Sequence, residues 1–241
     1  MIEQSLHEAL TAPLDALVDG ARRRTFPAGL VDGWDLPAAD RDALRRFGLP
    51  TDLPMRPMPQ PGREPVLAPN LAGPQERGLA ADGERLYDLG AWSDQDGAPR
   101  IGAVAGTGRV LALRERPLTA ADLHPTLRGI YRDLYRPAVA YLNTSVARFV
   151  EIAWRWRAAA ELRRRLEEPP FPGTHAQLVE RLGSADRAAE VLRAWEEACD
   201  AHLDLVDACG KRTLAAVRAV DPTQGPGGAE SLWLELLLAP V

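Results

Sequence analysis

The sequence predicts an α+β fold: a central, mostly antiparallel sheet flanked by helices, with a helical C-terminal extension. Three observations predict it. Residues 100–105 and 109–114 are short extended runs on either side of Gly106-Thr107-Gly108, which reads as a β-hairpin with glycine at the turn. Apolar residues recur at helical spacing before and after this region. Strand signals are confined to the middle of the chain, so helices flank one group of strands.

Taken in order, residues 3–19 predict a short amphipathic helix. Leu6, Leu10, Leu14, Leu17 and Val18 share a face, and Pro13 weakens its middle. Asp35 is the expected N-cap of a helix to Phe47, with Pro37 in its first turn, Gly48 ending it and Pro50 preventing its restart. Residues 51–83 are rich in proline and glycine and predict irregular structure, either a linker or an ordered wrap over a sheet. A strand is expected over 85–92, then the hairpin. Leu123, Leu127, Ile130 and Leu134, with Val139 a candidate fifth member, predict a helix within 118–140.

Asn143 is the expected cap of a helix over 144–167 carrying Val146, Phe149, Val150, Ala153, Trp156 and Ala160, stopped by Pro169 and Pro170. Thr174 caps a helix to Leu182. Ser184 or Asp186 starts a long helix to about Val220, with Gly210 a candidate break, and a last helix spans roughly 229–238. Three segments result: 1–34, an N-terminal helix and connection; 35–168, the α+β core; and 169–241, the helical extension packed on it.

The balance of 46% hydrophobic and 26% charged residues over 241 positions is that of a soluble globular chain. The net charge of -5 repels nucleic acid and anionic membrane and attracts basic partners. No stretch approaches the ~20 apolar residues of a membrane span. Cys199 and Cys209 fall in one helical pattern, about 15 Å apart, beyond disulfide reach. Free thiols and the absence of a visible secretory signal predict a cytoplasmic protein.

Motifs that carry catalysis are missing. The glycines at 102, 106 and 108 precede a strand, whereas a phosphate loop precedes a helix. The four histidines do not pair, and Cys199 with His202 lacks the second ligand pair of a zinc site. The carboxylate pairs Asp94/Asp96 and Glu167/Glu168 fit solvated surface. Trp154 and Trp156, interleaved with Arg155 and Arg157, could stack on bases, but core packing suits an acidic chain better. No catalytic residue, metal or cofactor is expected.

One pattern points to a partner. Glu190, Arg193, Glu197, Asp200, Asp204 and Asp207 follow 3-4-3-4-3 spacing and form one ridge on the long helix, with Leu192, Trp195, Cys199, Val206 and Leu203 facing the other way. Such a ridge is either a solvated face or a docking surface for a basic protein. Trp92, Asp94 and Asp96, in the loop after the first long strand, join Glu197, Asp200, Asp204 and Asp207 as expected partner-binding residues.

Several segments together resemble the fourth subfamily of the SUKH superfamily of bacterial immunity proteins. They are Leu44-Arg45-Arg46-Phe47-Gly48-Leu49-Pro50; Leu86-Tyr87-Asp88-Leu89-Gly90; Thr107-Gly108-Arg109-Val110 within residues 101–110; and residues 141–149, where Asn143-Thr144-Ser145 steps into a helix bearing Phe149. The resemblance covers roughly 35–165, with a longer insert at 118–140 than the family pattern has. It implies a sheet with flanking helices, no catalytic residues, and neutralisation of a cognate polymorphic toxin by occlusion. A basic nuclease or deaminase is the kind of toxin expected. A general interaction adaptor on the same scaffold is the alternative.

Overall fold

A computed structural model describes every residue except 1, 53, 54, 59, 94, 96, 167, 224–231 and 234–241; the side chains of residues 2 and 3 are also outside the description. The N-terminal helix breaks at Pro13 into α1 (Ile2–Thr11) and α2 (Leu14–Leu17). A short strand β1 (Arg23–Arg24) and a helical turn α3 (Ala28–Val31) lead to α4 (Ala38–Arg46). Asp35 does not cap α4. Pro37 occupies the cap position without a side-chain bond, and Asp35 bridges instead: its N–H donates to the Tyr87 hydroxyl and its carbonyl accepts from Gly106 N–H.

Gly48 ends α4 at φ 60, and a Cβ there would lie 2.1 Å from the Arg24 carbonyl oxygen. Only glycine allows β1 to pair with β2 (Leu49–Pro50) at this point.

The main sheet is antiparallel throughout, in the order β3 (Arg56–Pro57), β4 (Leu86–Ala91), β5 (Arg100–Val104), β6 (Val110–Leu113), β9 (Val139–Asn143). Between β3 and β4 lies the short helix α5 (Pro74–Leu79). Side chains alternate between the faces with the period of two that a strand imposes. Tyr87, Leu89, Ile101, Ala103, Val110, Ala112 and Leu142 join one buried cluster with Phe149, Val150 and Trp154 of α7 (Val146–Arg164). Leu86, Val104, Leu111, Leu113 and Val139 form a second cluster, covered by Leu67, Leu71, Leu79 and Ala80. From Leu67 to Ala80 the proline-rich segment is therefore an ordered wrap.

The helix expected within 118–140 is replaced by a small excursion. It comprises β7 (Leu118–Thr119), a 3-10 turn (Ala120–Asp122), α6 (Pro125–Arg128) and β8 (Tyr135–Arg136), which pairs back onto β7. Pro125, Gly129 and Pro137 divide the segment, and Ile130, at helical spacing, is 73% exposed.

Ser145, rather than Asn143, caps α7 by accepting from Arg148 N–H. Trp154 and Trp156 are buried on α7, and the Trp154 indole donates to the Gly48 carbonyl at 3.2 Å. The chain then forms α8 (His175–Leu182) and α9 (Ala185–Val220), which passes through Gly210 unbroken. Of the last predicted helix, only Leu232 and Trp233 lie within the described residues. Both are buried in the first cluster.

Candidate protein-binding surface

The candidate surface is built on the helical hairpin of α8 and α9. Thr174 accepts from Gln177 N–H while the Gln177 side chain accepts from Thr174 N–H, a reciprocal capping box. Gly183, left-handed at φ 68, closes α8, and Ser184 caps α9 by accepting from Arg187 N–H. Thirty-six residues make α9 about 54 Å long.

Its C-terminal half is anchored. Cys209 packs with Leu6, Leu10 and Ala159, and Val217 joins the main core. The N-terminal half is an arm: Ala188 is its one buried residue before Cys209. It is held by α8 and by the stretch after α7, where the Trp195 indole donates to the Pro169 carbonyl at 3.2 Å and packs edge-on against Phe171.

The ridge faces outward on this arm. Glu190, Arg193, Glu197, Asp200, Asp204 and Asp207 are all exposed, while Leu192, Trp195, Cys199 and Val206 are half-buried opposite them. Leu203 departs from the expected arrangement at 62% exposure. At 100° per residue it sits about 60° from the centre of the buried stripe, on the border of the ridge.

Asp207 pairs with Lys211 at 2.6 Å, so the ridge is partly neutralised at that end. Nearby groups register the field. Hydrogen bonding to Asp207 and the charges of Asp207 and Asp204 push the Lys211 ammonium up. Burial and the charges of Glu168, Asp200 and Glu196 push the Cys199 thiol up, which disfavours the reactive thiolate. Residues 185–210 carry seven carboxylates against Arg187 and Arg193, an excess of negative charge along the arm.

The second group of expected contact residues is placed differently. Trp92 is 8% exposed and packs edge-on against Trp233, ring centroids 5.1 Å apart, so as packed it offers a partner almost no area. Asp94 and Asp96 lie outside the described residues. The structure therefore exposes Glu197, Asp200, Asp204 and Asp207 on one face without bringing Trp92 to them.

Two features have no signal in the sequence pattern. Leu127, Ile130, Tyr131 and Tyr135 are exposed on the 118–136 excursion. Asp221, just past α9, is fully buried and accepts from Asn143 Nδ2 at 3.0 Å and Thr144 N–H at 2.9 Å. Burial pushes the Asp221 carboxyl up, but the bonds from Thr144, Thr223 and Asn143 outweigh it and hold it below the usual carboxylate range. This network fastens the C-terminal end of α9 to the sheet.

Among the described residues, no group of three or more His, Cys, Asp or Glu side chains is arranged to hold a metal ion, and no helix is long and apolar enough to cross a membrane. An open groove of about 660 Å³ lies between α1, α7 and α9. Its Arg155 is already engaged, by Glu151 and by the Leu10 and Ala12 carbonyls at the end of α1. The groove's most buried cation thus serves as a helix cap.

Neither the curated proteins nor the solved structures contain a significant match to the chain. The family model described as SUKH-4 immunity protein matches residues 10–238. That span extends well beyond the 35–165 region carrying the sequence resemblance, and it takes in α8 and α9. It fits a structure in which α2, the sheet and the end of α9 share one core. The arm therefore lies inside the matched region, and the chain belongs to the SUKH-4 immunity protein family.

Proposed function

We propose that this protein neutralises a cognate bacterial polymorphic toxin by binding and occluding it, with the outward ridge of α9 as the docking face. Family membership supports the immunity role. The observation supporting the surface is a row of exposed carboxylates, of which Asp207 alone is described with an ion-pair partner, Lys211. Glu196 and Asp200, and Asp200 and Asp204, stand four residues apart on an exposed helix face. Like charges at that spacing cost about 0.2–0.5 kcal/mol per pair. A basic protein face laid against them converts that cost into attraction and speeds association.

The partner that fits is a basic toxin, such as a nuclease or deaminase, whose cationic face approaches phosphates. Asp94 and Asp96 are assigned to the contact on charge alone. Trp92 is assigned to the contact through its place two positions before Asp94. On this reading the protein acts in the cytoplasm as a binder, without catalysis, cofactor or direct nucleic-acid contact.

The test is capture on the tagged chain from its native cells, followed by expression of the captured protein. The expected result is one stoichiometric partner that arrests growth alone and is harmless when co-expressed with this chain. A spread of unrelated, non-toxic proteins would favour an adaptor.

A further inference from the structure

The 118–136 excursion is braced from within. Thr119 and Asp122 form a reciprocal capping box, and Arg116 pairs with Asp122. Arg128 donates to the Leu123 and Ala121 carbonyls, each at 3.0 Å. The Tyr135 hydroxyl donates to the buried carboxylate of Glu76 at 2.8 Å, tying the excursion to α5. All this bracing leaves Ile130 73% and Tyr131 52% exposed at the tip. A rigid loop presenting large apolar side chains loses little entropy when it docks. Residues 124–136 carry three arginines against one aspartate, Asp133, which pairs with Arg132 at 3.5 Å, so the tip keeps a net positive charge on an acidic protein.

The chain also carries a matching surface. Leu203 is 62% exposed on α9, with Asp200 three residues before it and Asp207, paired with Lys211, four after it on the same face. One site is an apolar knob with a basic rim, and the other is an apolar knob with an acidic rim. Within one copy neither buries the other, because both stand exposed.

We propose that the protein associates with itself head to tail, the tip formed by Ile130 and Tyr131 of one copy seating beside Leu203 on the arm of the next. Tip against tip would oppose cations, and arm against arm would oppose carboxylates, so a contact pairing like patches is disfavoured. Two different patches in contact build rings or open chains. Exposure and charge complementarity support this contact independently of the toxin reading. It adds a consequence to that reading: a toxin bound to the ridge competes with self-association.

Sedimentation velocity of the purified chain, without partner, tests it. The weight-average mass is expected to rise between about 5 µM and about 500 µM protein, a range suited to weak contacts. It is expected to fall back toward the monomer as salt rises from about 0.1 M to about 1 M, where the screening length shrinks from about 10 Å to about 3 Å. Ile130→Asp and Leu203→Arg each give monomers alone, because each lacks one half of the contact. Mixed, they form a one-to-one dimer and nothing larger, because each supplies the half the other lacks. The milder Ile130→Ser and Leu203→Ser repeat the pattern in weaker form, and circular dichroism confirms that all four fold. A wild-type chain monomeric throughout the range, self-association untouched by these substitutions, or a mixture that stays monomeric would each overturn the proposal.

Discussion

Asn143 and Asp221, 78 positions apart, meet in a buried hydrogen bond of 3.0 Å between the end of β9 and the end of α9. The other end of the Asn143 amide accepts from the Trp233 indole at 3.0 Å. One side chain thus joins the last strand of the sheet to two points in the C-terminal segment. Asn143→Ala removes the acceptor of the Trp233 indole and one donor from a buried carboxylate. It is expected to destabilise the protein by about 1–3 kcal/mol, read as a lower urea midpoint.

Asp221 also makes stability depend on pH. Its folded pKa is lowered, chiefly by hydrogen bonds from Thr144, Thr223 and Asn143 acting against burial. A carboxyl of this kind contributes stability that is fully present above its unfolded pKa, near 3.9. That stability is lost as pH falls through the folded value. Wild type is therefore expected to lose more unfolding free energy than Asp221→Asn between about pH 6 and about pH 3. Parallel stability curves for the two proteins would remove Asp221 from this role.

Two glycines of similar backbone conformation separate strain from packing. Gly83 has φ +79 and nothing within 4 Å of where a Cβ would stand, whereas Gly108 has φ +70 and its Cβ would fall 1.8 Å from Asp40 Oδ2. Gly83→Ala is expected to cost about 1–2 kcal/mol, the penalty of a left-handed alanine. Gly108→Ala costs more, because it must also displace Asp40. The Oδ1 of Asp40 accepts from Ala147 N–H at 2.8 Å and holds the first turn of α7. Chemical denaturation of both variants measures the difference directly.

The contrast between local and distant partners explains what the sequence reveals. The hairpin, the stop at Gly48 and the cap at Thr174 depend on a few neighbouring residues, and all appear where their chemistry puts them. Asp35 and Asn143 are good caps by residue type, but partners distant in the chain decide otherwise: Tyr87 and Gly106 fix the Asp35 backbone two positions before the cap at Pro37, and Asp221 and Trp233 engage the Asn143 side chain. In residues 118–140 helical spacing carries no information about burial, and the ladder between Leu118 and Arg136 decides the structure. For the site, the ridge is legible as periodicity. The burial of Trp92 is not, because it depends on Trp233, 141 positions later in the chain.

Stability and binding are expected to move in opposite directions on the ridge. Asp200 and Asp204 are exposed and four residues apart on the arm. Replacing both with lysine removes the attraction they offer a basic partner and leaves the core untouched. It also relieves their repulsion with neighbouring carboxylates. Thermal stability is expected to hold or rise slightly, by about 0.2–0.5 kcal/mol for each like-charge pair relieved. A large loss of stability would mean that these carboxylates serve the scaffold.

The most direct measurement is the affinity of the captured toxin for wild type and for the Asp200→Lys, Asp204→Lys double variant, by titration calorimetry at about 0.1 M and about 1 M salt. Reversal of two interfacial charges is expected to weaken binding at least about tenfold at low salt, equivalent to about 1.4 kcal/mol, with the gap narrowing at high salt. Equal affinities at both salt concentrations would contradict docking on the α9 ridge and place the toxin elsewhere on the protein.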